Sequence, residues 1–271
     1  MTASLALLHL VRATNPPGAF AAFRAAYAGH EAGCAHELVL LLKGFAPEAA
    51  SAFMAGPAAG MGAQAVVLDD QGQDLLAYRR AAAALAHEFV CCLNSFARPD
   101  APQWLGHLAR AAALPGVGIA GATGSWESAR LATAAALAGR AWHQRLPREA
   151  LVAACFPGFP NPAIRTNGFV LRRAELLALV PGWIRGKFSH AMVESGRIGI
   201  THRLRRRGLR AVVVDRNGQV FDVPDWPASA TFRSGAQAGL MLRDNRTDAW
   251  AAADPATQQA QARLAWGNAA V

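Results

Sequence analysis

Short apolar runs alternate with helical patterns over the first 120 residues, and this alternation limits the fold more than any other feature of the sequence. The runs that we interpret as strands are residues 5–11, 37–42, 65–68, 89–93 and 116–120. Helical stretches lie between most of them, as in crossover connections between parallel strands. The runs show no polar alternation, which is expected when helices cover both faces of a sheet. The sequence therefore predicts an α/β fold with a mostly parallel sheet flanked by helices.

The second half of the chain is less regular. The elements predicted there are strands at 168–171 and 211–214, a helix at 194–207, a turn at 216–219 and a last helix at 258–266. We find no internal repeat and no clear linker in the 271 residues. The pattern indicates a single domain with a C-terminal extension, divided as 1–122, 123–224 and 225–271.

The charge balance favours anionic partners. The chain has 27 Lys and Arg against 18 Asp and Glu, a formal net charge of +9. Such a surface attracts nucleic acid, anionic lipid or phosphorylated ligands. The basic run at 203–207 would suit nucleic acid, but no aromatic residues are interleaved with it. A solvated helix with favourable charge at its carboxyl end explains the run equally well, so we expect no nucleic-acid partner.

The cysteines and the apolar runs bear on the compartment. None of the four cysteines forms a C-x-x-C pair, and Cys91 and Cys92 lie together in an apolar run. This usage is typical of a reducing compartment and predicts no structural zinc site. Residues 1–13 lack the basic start of a signal peptide, and no run approaches the ~20 apolar residues that span a bilayer. We expect a cytoplasmic protein, with contact at the inner face of the membrane as an open alternative.

Polar residues follow the predicted strands where a ligand would bind. In open parallel sheets, ligands bind outside the carboxyl ends of the strands. Those ends carry Thr14-Asn15, Lys43-Gly44, Asp69-Asp70 and Asn94-Ser95. The chain contains neither G-x-G-x-x-G nor G-x-x-x-x-G-K-[ST], so neither a dinucleotide fingerprint nor a P-loop is present.

Two stretches resemble a known family. Residues 69–125, DDQGQDLLAYRRAAAALAHEFVCCLNSFARPDAPQWLGHLARAAALPGVGIAGATGS, resemble the core of GT-A glycosyltransferases, specifically inverting family 2-like enzymes of bacterial surface-polysaccharide synthesis. Residues 159–177, FPNPAIRTNGFVLRRAELL, resemble their acceptor-side segment. The resemblance implies a GT-A-like, Rossmann-type sheet in which residues 1–122 bind a nucleotide-sugar and residues 123–224 face the acceptor. The acceptor would be a glycan or a lipid-linked molecule.

The resemblance also implies roles for individual residues. The expected general base is Glu194, in the segment KFSHAMVESGRIGITHRLRRRGL. The expected donor-binding residues are Asn15, Asp70, Asp74, Asn94, Ser95, Lys187 and Arg197. The residues expected on the acceptor or phosphate side are Arg165, Asn167 and Arg246. Two alternatives stay open at this stage, because Asp74 also suits a helix cap and Glu194 also suits the first turn of a surface helix.

The metal-binding motif of the family is replaced in this chain. The family holds a divalent cation through the paired acids of a D-x-D motif, where this sequence has Asn94-Ser95-Phe96. Hard cations prefer carboxylate oxygens, so we predict no metal ligands and leave Mg²⁺ or Mn²⁺ as a disfavoured option. Inverting glycosyl transfer is the predicted function. The alternatives are a non-catalytic nucleotide-sugar-binding or scaffold protein and, less favoured, a basic nucleic-acid-binding protein.

Overall fold

The computed structural model describes residues 4–269, except for the side chains of Ala135 and Trp142. The first three residues of the predicted 1–122 part and the last two of the 225–271 part therefore lie outside it. The strands are β1 Leu5–Arg12, β2 Glu37–Lys43, β3 Gln64–Leu68, β4 Phe89–Leu93, β5 Arg98–Pro99, β6 Val117–Gly121, β7 Gly124–Ser125, β8 Ala163–Ile164, β9 Gly168–Arg172, β10 Arg210–Val214, β11 Val220–Phe221 and β12 Leu242–Arg243.

Helices connect and cover these strands. The α-helices are α1 Pro17–Gly29, α2 Pro47–Ala55, α3 Asp74–Ala83, α4 Trp104–Ala113, α5 Ala129–Ala136, α6 Trp142–Cys155, α7 Arg173–Leu179, α8 Lys187–Ser195, α9 Ile200–Arg206, α10 Asn245–Ala251 and α11 Pro255–Trp266. Short 3₁₀ helices occupy Val223–Ser229, Gly235–Gln237 and Gly267–Ala269. None of the helices in residues 4–269 has both the length and the apolar character needed to cross a bilayer.

The central sheet has eight strands in the order β11-β10-β6-β9-β4-β1-β2-β3. The neighbours β3, β2, β1 and β4 pair in parallel, and so do β6 and β10. Strand β9 lies antiparallel between β4 and β6, and β11 is antiparallel at the edge. The predicted α/β fold with a large, mostly parallel sheet is therefore confirmed. Strands β2 and β3 are added on one side of β1, and β4 is added on the other side. The point between β1 and β4, where the strand order reverses, is the place where ligands bind in folds of this class.

Helices bury apolar side chains on both faces of the sheet. On one face, α1, α2 and α4 contribute buried residues such as Phe23 and Leu108. On the other, α3, α7, α9 and α11 contribute residues such as Leu75, Leu176 and Trp266. This two-sided burial explains why the strands read as continuous apolar runs.

The predicted helix over 194–207 is wrong. Two helices occupy this stretch, and they are separated by residues 196–199. Gly196 has an extended backbone at the end of α8, and Gly199 precedes the first residue of α9. A Cβ on Gly196 would lie 2.6 Å from the carbonyl oxygen of Met192, so the chain turns here in a way that a larger residue would obstruct. Glu194 consequently lies in the last turn of α8, not in the first turn of a helix.

The C-terminal segment packs into the core. Trp226, Phe232 and Trp266 are buried, and Trp266 Nε1 donates to the Phe232 carbonyl oxygen at 2.7 Å. Strand β12 pairs antiparallel with β5, which follows the carboxyl end of β4. The segment thereby reaches the edge of the sheet where the predicted site lies.

We predict that the stability of the sheet depends on helix α11. Trp266→Ala should lower the free energy of unfolding by about 3–5 kcal/mol, because it removes a buried ring and leaves a cavity. Leu264→Ala, on the exposed side of the same helix, should change it by no more than about 0.5 kcal/mol. Urea unfolding followed by circular dichroism measures both. Equal effects from the two substitutions would mean that α11 is not part of the cooperative core.

Candidate functional site

Charged residues end the first two strands at the carboxyl edge of the sheet, and each is paired with an aspartate from the β3–α3 region. Arg12, the last residue of β1, donates to Asp74 Oδ1 at 2.6 Å. Lys43, the last residue of β2, is buried and its Nζ donates to Asp70 Oδ1 at 2.6 Å. The hydrogen bond and the charge of Lys43 lower the pKa of Asp70. This edge is therefore built from charge pairs that hold the loop after β3 against β1 and β2.

The predicted alternative for Asp74 was a helix cap. Asp74 is the first residue of α3, so its charge lies in the first turn, where it favours the helix dipole. The carboxylate also forms the ion pair with Arg12, a contact between residues 62 positions apart.

The polar pair after β4 forms a tight turn. Asn94 Oδ1 accepts from the backbone N–H of Phe96 at 3.0 Å, and Ser95 is buried. The side-chain oxygen of Asn94 is thus already used within the turn. Such a turn is the ordinary local use of an asparagine.

Strand β9 brings a second polar group to the same edge. Leu93 pairs with Gly168 in the antiparallel register, so Asn94 and Asn167 are the next residues outward on the two strands. Asn167 is buried, and its Oδ1 accepts from Thr123 Oγ1 at 2.6 Å. Its amide nitrogen has no hydrogen-bond partner among the described residues.

A cleft of about 350 Å³ opens at this edge. We call it the polar cleft, because carboxylate, amide, hydroxyl and guanidinium groups dominate its lining. The polar side chains that line it are Asp74, Asn94, Ser125, Glu127, Arg165, Thr166, Asn167, His190, Glu194, Ser195, Asp244, Asn245 and Arg246. The residues come from the start of α3, the turn after β4, β7 and the residues just after it, the β8–β9 connection, α8 and the C-terminal segment.

Glu194 presents its carboxylate to the polar cleft. Its Oε1 accepts from Thr166 Oγ1 at 2.7 Å, and its Oε2 lies 3.8 Å from Nε2 of His190, one turn earlier on α8. The Glu194 side chain is 30% exposed, so it is held in place yet open to a ligand. This geometry suits a proton acceptor at the wall of a cleft.

The other carboxylates of the polar cleft are paired with arginines. Arg165 donates to Asp244 at 2.9 Å, and Arg233 donates to Glu127 at 2.7 Å. Asp244 is buried and also accepts from the backbone N–H groups of the first turn of α10. These pairs compensate the buried charges, which would otherwise be costly.

A second cavity of about 410 Å³ lies beside the polar cleft. We call it the aromatic pocket, because Phe20, Phe45 and Phe53 line it together with three prolines. The two cavities are neighbours at the carboxyl edge of β1 and β4. Ser95 and Arg12 line the aromatic pocket, while their neighbour Asn94 and their partner Asp74 line the polar cleft.

Two polar side chains of the aromatic pocket have unused hydrogen-bonding groups. His9 lies on β1, is fully buried and stacks on Phe23 with ring centroids 3.6 Å apart. Neither of its ring nitrogens, nor the side-chain amide nitrogen of Asn15, has a partner among the described residues. Burial lowers the pKa of His9 to about 3, so the ring is neutral at physiological pH.

The structure brings most of the predicted site residues to these two cavities. Those that line the polar cleft are Asp74, Asn94, Arg165, Asn167, Glu194 and Arg246. Asn15 and Ser95 line the aromatic pocket. Three predicted donor ligands line neither cavity: Asp70 is bound by Lys43, Lys187 is exposed at the start of α8, and Arg197 Nε donates to the Ala154 carbonyl oxygen.

Sequence reasoning missed several groups that shape the site. Arg12 could have been found, since it directly follows the predicted strand 5–11 at the same edge as the predicted ligands. Glu127, Phe232 and Arg233 carry no local signal, because the contacts Arg233–Glu127 and Arg165–Phe232 join residues that lie far apart in the chain. His9 sits within an apolar strand and gave no sign of facing a cavity.

The residues at the D-x-D positions do not fit a divalent cation. Asn94 Oδ1 is engaged by the Phe96 N–H, and Phe96 offers no side-chain ligand. Within residues 4–269, no three His, Cys, Asp or Glu side chains are placed to hold a metal ion. The predicted independence of a metal remains to be measured.

No protein-family model matches the chain, and no curated protein sequence matches it. Among solved structures it is similar to a mannosyltransferase from Pyrobaculum calidifontis in complex with GDP-Man and Mn²⁺, with 13% identity, a TM-score of 0.48, and coverage of 85% of this chain and 60% of that one. It is also similar to glucosyl-3-phosphoglycerate synthase from Mycobacterium tuberculosis in complex with Mn²⁺, UDP-Glc and phosphoglyceric acid, with 14% identity, a TM-score of 0.41, and coverage of 64% and 57%.

A third similar structure is mannosyl-3-phosphoglycerate synthase from Rubrobacter xylanophilus, with 18% identity, a TM-score of 0.36, and coverage of 66% of this chain and 55% of that one. The chain thus spans 55% to 60% of the length of these three structures. With TM-scores below 0.5, these likenesses leave the function to be inferred from the site itself.

We predict that His9 makes the protein less stable in mild acid. The unfolded chain binds a proton on His9 below pH ~6.5, whereas the folded chain does so only near pH 3. Stability should therefore fall as the pH drops from 7 toward 3, and His9 should account for about 2 kcal/mol of the loss between pH 7 and 5. Urea unfolding of the wild type and His9→Leu at both pH values measures this.

The quantity compared is the change in the free energy of unfolding between pH 7 and pH 5 in each protein. A cost of the substitution that does not depend on pH therefore cancels. In His9→Leu the loss on acidification should be smaller by that amount. The same loss in both proteins would show that the pKa of His9 is not lowered in the folded state.

Proposed function

We propose that this chain transfers a glycosyl group from a nucleotide-sugar to a hydroxyl group of an acceptor, with inversion at the anomeric carbon. One observation carries the proposal. The carboxylate of Glu194, held by Thr166 at 2.7 Å, faces a polar cleft at the carboxyl edge of β1 and β4. That edge is the ligand-binding position of folds in this class, and a carboxylate there can accept the proton of an attacking hydroxyl.

The lining of the polar cleft supports a sugar as its ligand. Carboxylate and amide oxygens accept hydrogen bonds from hydroxyl groups, and amide and guanidinium nitrogens donate to them. The cleft offers both kinds of group, including the unused amide nitrogen of Asn167. Polar lining of this density is less suited to an apolar ligand, which would leave many of these groups without partners.

The position of the two cavities supports a donor that spans them. A nucleobase is planar and aromatic, and bases stack on aromatic side chains. Phe20 and Phe53 offer such rings in the aromatic pocket, where Asn15 offers an unused amide. The diphosphate would then cross the edge at Asn94 and Ser95, and the sugar would enter the polar cleft.

The chemical step follows from this arrangement. The acceptor oxygen forms a bond to the anomeric carbon while the bond from that carbon to the diphosphate breaks. The electron pair of the broken bond leaves with the diphosphate, and the hydroxyl proton goes to the carboxylate of Glu194. Attack from the face opposite the leaving group inverts the configuration.

We further propose that the acceptor is a glycan or a lipid-linked molecule, as in bacterial surface-polysaccharide synthesis, and that the protein works in the cytoplasm or at the inner face of the membrane. Asp70, Lys187 and Arg197 remain predicted donor ligands, although they line neither cavity. The division of the chain into parts 1–122, 123–224 and 225–271 also remains a proposal.

A non-catalytic member of the same fold is the main alternative, and the departure from D-x-D favours it. Such a protein would bind a nucleotide-sugar without turning it over. A nucleic-acid-binding protein is the weaker alternative, because two of the arginines at the polar cleft, Arg165 and Arg233, are already paired with carboxylates.

We predict that Glu194→Gln abolishes most of the turnover. Glutamine keeps the shape and can still accept from Thr166, but it cannot take the acceptor proton, so the rate should fall about 10²- to 10⁴-fold. The measurement is release of nucleoside diphosphate from a panel of nucleotide-sugars, with and without candidate acceptors. The affinity for the donor, from calorimetry, should stay within about twofold of the wild type, since the lost function concerns the proton alone.

Glu48→Gln is the matched control, because Glu48 is an exposed glutamate on α2 that lines neither cavity. It should leave turnover and binding unchanged. Turnover of Glu194→Gln at the wild-type rate would exclude Glu194 as the base. Donor binding without turnover by the wild type on every acceptor would favour the non-catalytic alternative.

We also predict that nucleoside diphosphate binding is nearly independent of divalent metal. Calorimetric titrations of UDP and GDP with a chelator and with added Mg²⁺ or Mn²⁺ should give dissociation constants within about twofold of one another, because no carboxylate pair holds an ion at Asn94 and Ser95. A loss of about tenfold or more on chelation would contradict this and point to other acids as metal ligands.

A further inference from the structure

Two arginines share one aromatic ring next to the polar cleft. We call the cluster of Arg165, Phe232, Arg233 and Arg246 the C-terminal wall, in which Arg165 and Arg246 line the cleft itself. The guanidinium carbon of Arg165 lies 4.0 Å from the centroid of the Phe232 ring, and that of Arg233 lies 4.8 Å from the same centroid. Stacking of this kind fixes the planes of guanidinium groups. The two side chains are mostly buried, each 12% exposed.

A third arginine gives this wall an excess of positive charge. Arg165 is paired with Asp244 and Arg233 with Glu127. Arg246 lines the polar cleft and has no carboxylate within salt-bridge distance among residues 4–269. Burial lowers the pKa of Arg233, and the nearby charges of Arg165 and Arg246 lower it further. Three guanidinium groups therefore lie close together against two carboxylates.

Asn167 adds an unused donor to the same wall. Because its Oδ1 accepts from Thr123 Oγ1, its Nδ2 is the end directed away from that bond. This nitrogen is buried and lacks a partner among the described residues, and Asn167 is one of the residues that line the polar cleft. Buried donors without partners are uncommon in folded proteins, and a bound ligand is one way to satisfy them. Arg165 also donates to Thr123 Oγ1, at 3.3 Å, which links the amide to the arginine group.

We propose that this wall is a binding site for an oxyanion, a phosphate or a phosphate-like group of a substrate, held by the amide of Asn167 and the guanidinium of Arg246. Arginine is suited to this ligand because its planar group can donate two parallel hydrogen bonds to it. The ion pairs Arg165–Asp244 and Arg233–Glu127 hold the wall in place. Their arginines are therefore not assigned to the ligand. The identity of the group rests on the proposed function, under which it is either the diphosphate of the donor or an acidic group on the acceptor.

The test measures binding of phosphate itself, so it does not depend on turnover. Inorganic phosphate and pyrophosphate are titrated by calorimetry into the wild type, Asn167→Asp and Arg246→Gln. Asn167→Asp keeps the oxygen that accepts from Thr123 and replaces the free amide by an oxygen that repels anions. Each variant should weaken the binding of phosphate and pyrophosphate about tenfold or more.

Arg148→Gln is the matched control, because it removes the same charge from an exposed position on α6, outside both cavities. It should leave the binding of phosphate and pyrophosphate unchanged. An equal loss in Arg148→Gln would show that only the general basic charge of the surface attracts the anion, and it would overturn the site.

Further titrations with uridine, guanosine, UDP and GDP distinguish the two sources of the group. If the site holds the leaving diphosphate, both variants should bind UDP or GDP more weakly than the wild type does and should bind uridine and guanosine as the wild type does. If it holds an acidic acceptor, the nucleoside diphosphates bind the variants normally, and phosphate still binds to wild type saturated with UDP or GDP. Either result supports an oxyanion site.

Unchanged binding of phosphate, pyrophosphate and both nucleoside diphosphates in the two variants would overturn it. Failure of the proposed function has a different signature. In that case phosphate binding would still depend on Asn167 and Arg246, while no nucleotide-sugar is turned over and Glu194→Gln changes nothing.

Discussion

The antiparallel pairing of β9 with β4 is the constraint on which the rest of the site depends. It fixes Leu93 opposite Gly168, so that the segments beyond them, with Asn94 and Asn167, leave the sheet at one edge. A Cβ on Gly168 would lie 2.3 Å from Leu242 Cδ1 and 3.2 Å from Leu93 Cδ2. The missing side chain therefore lets three segments meet, and a parallel sheet alone would not bring residues 165–167 to this place.

The C-terminal segment completes the site through a buried charge. Asp244 caps α10 by accepting from the N–H groups of Arg246 and Thr247, and its other oxygen accepts from Arg165. A carboxylate that is almost wholly buried requires such compensation. The geometry of the cleft wall is therefore coupled to the folding of the segment that contains α10, because the same carboxylate serves both the helix start and the wall.

Uncharged residues at the end of β4 suit the electrostatics of the edge. Apart from Glu194, each carboxylate that lines the polar cleft already has an arginine partner: Asp74 with Arg12, Glu127 with Arg233, and Asp244 with Arg165. The Asn94-Ser95 pair closes a turn between the polar cleft and the aromatic pocket without adding a charge. A ligand that crosses this edge meets hydrogen-bonding groups in place of a carboxylate pair, which would repel a diphosphate unless a cation lay between them.

The sequence by itself determined the main strands of the first half and the polar residues that follow them. Strands β1, β2, β4 and β6 could be predicted because burial on two faces makes each run apolar, and residues such as Asn94 follow directly along the chain. Strand β3 also has an apolar run, although it lies at the edge of the sheet and is largely exposed. The tertiary structure alone decided which of these ends line a cavity. Several features depend on packing or on contacts between distant residues. They are the Arg12–Asp74 pair, the unused groups of His9 and Asn167, the break at 196–199 that places Glu194 at a helix end, and the C-terminal wall. The local sequence pattern indicates how a residue fits into its own strand or helix. These features instead depend on which distant segments the fold brings together.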